Sequence, residues 1–326
     1  MQEEVFEQLY TFRRYVPAND LLSLSVLLTS IEDHDHDGED TSETVLRQQL
    51  SWPNHKPEQD CWVIEAPNSS HALIGYCSVF AQTPQRCTLY VAVHPDFRRR
   101  GLGRALLTKA KARAREVGAE QVILYANARN ISANAFLQKQ GFGLAGSSWV
   151  LRAPASLALQ EPEWLVGYSI CSYAEVQQIS VLLEVMTRSY ADRWGHAENE
   201  RATDANIVQE WLAHADFDGI FLVFAPDGEI AGFCRARRAR LPREHEDSEE
   251  LLTDEIEQPG VIPHHRHHAL YHSLVLTAMH WLRTEGQHDV LLHSWGDNKQ
   301  TIAIYQEIGF ILLQHFFAYR CDLRVC

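Results

Sequence analysis

The residues most able to do chemistry lie in one run, "YVAVHPDFRRRGLGRALL", Tyr90–Leu107. A β-branched strand stops at Pro95, a glycine-bearing turn follows, and a helix begins. Consecutive backbone N–H groups at such a turn can wrap a phosphate, and the helix dipole favours the anion. Side chains at Gly101 or Gly103 would obstruct that approach of the backbone. Between Phe97 and Arg115 stand eight Lys or Arg residues and no acid, in a chain of formal charge −14. Charge alone describes a solvated helix face; the glycines and the preceding strand make it a local anion site. Other phosphate binders are excluded. There is no G-x-x-x-x-G-K-[ST] run, and "GFGLAG" (Gly141–Gly146) follows a helix and enters a strand, the wrong order for a dinucleotide turn.

A second pattern occurs twice. "RNISANAFLQKQGF" and "DNKQTIAIYQEIGF" carry Asn130 and Asn298, each eleven residues before a Gly-Phe pair. The offset of 168 between those asparagines also carries Val93 onto Val261, Pro95 onto Pro263, Arg98 onto Arg266 and Gly141 onto Gly309. Agreement at one offset over some fifty residues means one fold duplicated. The copies differ where chemistry would happen. Gly101 becomes Ala269, Gly103 becomes Tyr271, and Val91 becomes Pro259, which has no N–H. The eight cations become two, Arg266 and Arg283, while Leu137 stands where the second copy has Tyr305.

Each half reads as strand, helix, three strands, helix, strand, helix, strand, which is a mixed α+β sheet of α/β type. The first half has strands near 8–16, 60–66, 72–80, 87–93, 121–126 and 148–153, with helices over 101–117 and 132–140. The second has strands near 164–170, 220–225, 230–236, 289–295 and 316–323, with a helix near 269–284. The Pro-containing segment "RAPASLALQEPE" is the natural linker, so the expected domains are 1–152 and 164–326, joined by 153–163.

Arg98-x-x-Gly101-x-Gly103 after a strand, then Asn130-x-x-Ala133 and a closing Gly-Phe, resembles the GNAT superfamily of N-acetyltransferases over both halves. The tandem arrangement is similar to mycothiol synthase and related two-domain acetyltransferases. The resemblance implies that the fourth and fifth strands splay to admit the pantetheine arm of acetyl-CoA. It implies that main-chain groups of Val91 and Val93 meet the pantetheine and acetyl carbonyl, and that Asn130 lies alongside the cofactor. Arg98 opens the loop, and the amides of Arg99, Arg100, Gly101, Leu102, Gly103 and Arg104 cradle the pyrophosphate. In this family the tyrosine of the second helix often protonates the departing CoA thiolate, which direct attack by an amine leaves as an anion. The first half has the loop but Leu137 in the acid position; the second has Tyr305 but a damaged loop. Acetyl-CoA is therefore expected as co-substrate in the first half, with a primary amine as acceptor. Tyr90 and Tyr125 flank the splay and His94 ends the fourth strand, so each is a candidate acid beside Tyr305 or a water. Two other readings stay open: catalysis in the second half through Tyr305, and a non-catalytic acetyl-CoA sensor.

Weaker constellations remain. "EDHDHDGED" (Glu32–Asp40) begins like a calcium loop at Asp33, Asp35, Asp37 and Gly38, but its twelfth position is Thr44. It reads as a solvated acidic loop or, by family topology, as a border of the acceptor pocket that attracts a cationic amine; Asp192, Glu198 and Glu200 are the analogue in the second half. In "PHHRHH", His264 with His268 and His268 with His272 are spaced i, i+4, yet no cysteine lies near and no complete ligand set declares itself, so no metal is expected. "PREHEDSEELLTDEIEQ" (Pro242–Gln258) reads as an acidic insertion between strands.

The 326 residues suit two domains, and 45% apolar content suits a globular chain. The amino terminus "MQEEVFEQLY" lacks a signal-peptide layout, and no apolar run reaches a membrane span. Seven cysteines without a C-x-x-C pair argue for a reducing, cytoplasmic setting. The charge of −14 disfavours nucleic acid and anionic membranes as partners, while the acidic loops favour a small, cationic acceptor; a monomer and a homodimer are both compatible.

Overall fold

A computed structural model describes residues 10–52, 55–66, 72–83, 85–193, 208–209, 212–213, 215–238, 253–257, 259–266 and 268–325. They form two compact units. The first runs through Ala145 and takes in the chain from Phe316 onward; the second is Gly146–His315.

The first unit contains β1 (Thr11–Arg14), α1 (Pro17–Asp35), α2 (Glu43–Leu50), α3 (Pro57–Asp60), β2 (Cys61–Glu65), β3 (Leu73–Thr83), β4 (Arg86–Val93), α4 (Leu102–Glu116), β5 (Gln121–Asn127) and α5 (Ile131–Lys139). The one helix expected before β2 is thus three. Strands β1 to β4 pair antiparallel in order. On α4, Leu102, Leu106, Ala110 and Ala114 recur every fourth position and are buried, which is the stripe that seats this helix on the sheet. Each fully buried Leu there contributes about 1.5–3 kcal/mol. Arg113 and Arg115 in its last turn complement the helix dipole.

The feature that positions the site is a split. β4 and β5 pair in parallel at only three positions, Arg86↔Gln121, Cys87↔Val122 and Thr88↔Ile123. Beyond them the strands part, and residues 89–93 and 124–127 line a cavity instead of a ladder. This is the splay that the family resemblance implies.

The second unit contains β6 (Gly143–Ala153, from Gly146 on), β7 (Ser169–Ser172), α6 (Tyr173–Val176), α7 (Ile179–Tyr190), β8 (Ile220–Phe224), β9 (Ile230–Arg237), β10 (Thr253–Ile256), β11 (Gly260–Val261), α8 (His268–Leu282), β12 (Asp289–Trp295), α9 (Lys299–Ile308) and the start of β13 (Ile311–Asp322). β10 pairs in parallel with β12 from Thr253↔Asp289 to Ile256↔Leu292, the counterpart of the β4–β5 pair. The stretch read as an acidic insertion therefore ends in a strand. Its inward residues are Asp254 and Ile256, both buried, and one apolar position in four residues is too little alternation to show. Residues 242–252 and 258 of that stretch lie outside the described residues.

Each unit is closed by a strand from the other half of the sequence. Residues 316–322 pair antiparallel with β5, and their Tyr319 and Cys321 join the core of Leu106, Leu124 and Phe142. Residues 148–153 pair antiparallel with β12, and Trp149, Leu151 and Ala153 join the core of Leu274, Val290 and Tyr305. Both strands lie where their patterns place them, but a hydrophobic alternation names a strand and not its partner. No described helix is long and apolar enough to cross a membrane.

Candidate active site

Residues of α1, β3, β4, the loop after β4, β5 and α5 enclose a cavity of about 1310 Å³ in the first unit. Its first wall is the glycine loop. Arg99 (φ 64°) and Gly101 (φ 87°) both adopt left-handed backbone, which turns successive N–H groups to one side before α4 begins. Gly101 accepts the first helical bond, from Ala105, and no main-chain acceptor among the described residues takes the amides of residues 99–104. An added Cβ at Gly103 would lie 3.6 Å from Phe136 and 3.8 Å from Val93, room for a methyl group but not for a ring. The loop thus presents open amides at the N-terminus of a fifteen-residue helix, a geometry suited to an anion.

Not every loop residue faces the cavity. Of the eight cations, Arg98, Arg99 and Arg104 line the cavity. Arg100 turns away, donating to the Asp96 carbonyl at 2.9 Å, and Arg113 is held by Asp60 at 2.9 Å. Arg98 is committed to structure: Nε donates to the Val93 carbonyl at 3.0 Å and its two terminal nitrogens grip Asp35 at 2.7 and 2.8 Å. Arg266 does the same in the second unit, donating to the Val261 carbonyl at 3.0 Å and pairing with Asp192. Asn130 caps α5, its Oδ1 accepting from Ala133 N at 3.0 Å, and Asn298 caps α9 through Thr301 N at 3.0 Å. The residues that both copies share hold loop and helix in place; Gly101 and Gly103, which differ between the copies, line the cavity.

The opposite wall is acidic. α1 ends at His36, in left-handed backbone at φ 52°. The Glu32 carboxylate then accepts from Gly38 N at 2.7 Å and Glu39 N at 3.2 Å, pinning the loop. Glu32, Asp35, Asp37 and Glu39 all line the cavity as a result. Burial would raise Asp35, but its hydrogen bonds to Arg98 and His34 outweigh it and hold the carboxyl below its usual range. Burial, with Asp35 and Glu32 as neighbours, pushes Asp37 up to about 6. Desolvation also raises Glu39, which the Tyr90 hydroxyl only partly offsets by donating to Oε2 at 3.0 Å. Tyr90 itself is pushed well above the ordinary phenol range, first by burial and then by Glu39.

The remaining candidates separate by position. Tyr125 and Leu137 line the cavity. His94 does not; its ring caps the turn after β4, accepting from Asp96 N at 3.3 Å. Three lining residues were missed. Trp52, His55 and Phe80 form an aromatic cluster, with His55 stacked 4.2 Å from Phe80 and Trp52 edge-on at 6.1 Å. Their scatter over 28 residues left no pattern to find.

In the second unit the matching region is filled. Tyr271, at the Gly103 position, accepts from Arg193 at 3.0 Å. Arg193 forms a buried ion pair with Asp297, and Asp297 Oδ2 accepts from Ser294 at 2.6 Å and from Tyr305 at 3.2 Å. Tyr305 is 0% exposed, and burial raises its hydroxyl well above the ordinary range. Glu198 and Glu200 lie outside the described residues, as does the side chain of His268.

The first unit thus has a mixed sheet split between two strands, a turn of open amides beside the split and carboxylates across from it. The sequence model of the Acetyltransferase (GNAT) family matches residues 26–142 and again 181–310. The chain belongs to that family, as a tandem N-acetyltransferase with two such regions. It is 27% identical to a mycothiol acetyltransferase of Salinispora arenicola over 244 residues, 73% of this chain and 74% of that one. Its fold is similar to a GCN5-related N-acetyltransferase from Sphaerobacter thermophilus (TM-score 0.75, 18% identity, 96% of each chain). It is also similar to a tandem GNAT protein from the clavulanic acid biosynthesis pathway (TM-score 0.62, 16% identity, 96% of this chain and 98% of that one).

Proposed function

We propose that the first unit binds acetyl-CoA and acetylates a primary amine of a small, cationic acceptor within the same cavity. The observation that carries this is the continuity of one cavity from residues 99 and 101–104 of the glycine loop, through the β4–β5 split, to the four carboxylates. The residues fit the cofactor: amides of Arg99, Arg100, Gly101, Leu102, Gly103 and Arg104, with the Arg99 and Arg104 side chains, suit a pyrophosphate. Main-chain groups of Val91 in the split suit a pantetheine, while the Val93 carbonyl is already engaged by Arg98. When bound, acetyl-CoA supplies the acetyl thioester.

The chain's own residues account for the rest. An ammonium group must lose a proton before it can attack, and Asp37, raised to about 6, and Glu39, raised above its ordinary value, are suited to take it. Tyr90 keeps its proton and fixes the Glu39 carboxylate by donating to it. Leu137 has no proton to give, which leaves Tyr125 as the tyrosine hydroxyl of β5 that lines the cavity. Asp35 is neutralised by its ion pair with Arg98, so Glu32, whose carboxylate accepts from two backbone amides at the cavity wall, supplies the negative charge for a second cation of the acceptor.

The test is amine-dependent CoA release across primary amines, with a mycothiol-type acceptor, suggested by the name of the relative, in the same series. A diamine should exceed a monoamine of equal length in kcat/KM by about tenfold or more, a preference of about 1.4 kcal/mol. Glu39→Gln should lower kcat by about 10²–10⁴-fold. No amine-dependent release, or equal rates for mono- and diamines, would refute the assignment.

A pH dependence follows from Asp37. Its carboxyl, raised to about 6, takes up a proton as pH falls through that value, so kcat/KM should drop below about pH 6. Asp37→Asn should remove that part of the profile. The sign for folding is opposite: a carboxyl whose folded pKa is raised contributes stability at low pH that is lost as pH rises through about 6.

A further inference from the structure

The histidine run that the transfer reaction leaves unused gains a third partner in the fold. Glu229 lies in the turn between β8 and β9, and His264 and His265 lie in the short helical turn after β11. One ligand atom from each falls within 4.8 Å of the others. Both Nε2 atoms face the same carboxylate oxygen, Glu229 Oε2, at 3.2 Å for His264 and 3.4 Å for His265. Hydrogen bonds of this kind usually span about 2.9 Å. Ligands about 2.0–2.2 Å from one tetrahedral zinc lie about 3.3 Å apart, which matches the two histidine–carboxylate distances.

The two inner ligands also have outer partners. Tyr168 lies 2.9 Å from His265 Nδ1 and orients the ring; with Nδ1–H donating to that hydroxyl, Nε2 keeps its lone pair for an ion. Arg188 holds Glu229 Oε1, which turns Oε2 toward the histidines. Outer hydrogen bonds that orient an imidazole and a carboxylate in this way accompany metal ligation. His265 is 10% exposed at its side chain, Glu229 31% and His264 56%, so a fourth position opens to solvent.

We propose that Glu229 Oε2, His264 Nε2 and His265 Nε2 bind a divalent ion of the zinc class, with water completing the set. The ion clasps the β8–β9 turn to the turn after β11. This departs from the sequence expectation of no metal. The spacing of His264, His268 and His272 pointed at a helix face, whereas the ligands are adjacent histidines and a glutamate 35 residues upstream.

The test titrates Zn²⁺ into the full chain after chelator dialysis, by calorimetry, and follows Co²⁺ by visible absorption. One equivalent should bind with Kd below about 10 μM, with Co²⁺ bands of four- or five-coordinate intensity. Glu229→Gln and His265→Ala should weaken binding by at least about 100-fold and abolish the bands. Tyr168→Phe should keep the stoichiometry and weaken affinity about 10–100-fold, as loss of an outer partner does. Melting in chelator shows whether each variant folds; should Glu229→Gln not fold, the more exposed His264→Ala carries the comparison. Wild type taking up no stoichiometric Zn²⁺ at about 100 μM, or variants binding as tightly as wild type, would overturn the proposal.

Discussion

Gly103→Tyr is expected to abolish acetyl-CoA binding by the full chain. In a calorimetric titration wild type should take up one equivalent, and the variant should weaken at least about 100-fold, or about 2.7 kcal/mol. Gly103 is the second residue of α4, in the turn whose amides have no main-chain acceptor among the described residues. Its Cβ position already touches Phe136 and Val93, so a phenol ring must swing into the cavity where a pyrophosphate would lie. The second unit has made this substitution: Tyr271 occupies the matching place, buried and bonded to Arg193. A variant that still binds one equivalent would move the cofactor site to the second unit. Two equivalents in wild type, one in the variant, would show that both units bind.

The duplication and the glycine turn after β4 were legible because each leaves a local trace: a constant offset, a β-branched run stopped by Pro95, glycines at fixed spacing; the split strands came only with the family resemblance. What escaped depends on chain closure. The acidic loop was visible, but Tyr90 meets Glu39 across 51 residues only because His36 adopts left-handed backbone and Glu32 seizes two amides of the loop. Arg98 and Asn130 line the cavity, but their side-chain bonds run to the chain itself, and Arg266 and Asn298 repeat those bonds beside a loop without its glycines. Repetition there marks what the fold needs. The partners of residues 148–153 and 316–322 were invisible for a third reason: duplicated sheets offer each strand two equivalent edges, and pattern alone does not choose.

That contrast sharpens the question of Tyr305, the residue that family resemblance would make catalytic. Asp297→Ala is expected to destabilise the second unit by about 3–5 kcal/mol, the cost of stranding one member of a buried ion pair. Arg193, 5% exposed, would lose its counter-ion, and the hydroxyls of Ser294 and Tyr305 would lose their acceptor. Hydrogen exchange of the α8 and α9 amides should report the loss, and acetyl-CoA binding by the first unit should persist. Tyr305→Phe removes one bond from the same network and should cost only about 1 kcal/mol. Its turnover should match wild type, because the ring lies in a packed core and its hydroxyl is already spent on Asp297. A fall of about 100-fold in kcat for Tyr305→Phe with unchanged melting would make the second unit the catalyst. The packing points the other way: where the first unit keeps glycine and open amides, the second has Tyr271 and a buried cation, and Tyr305 packs in the core beside them.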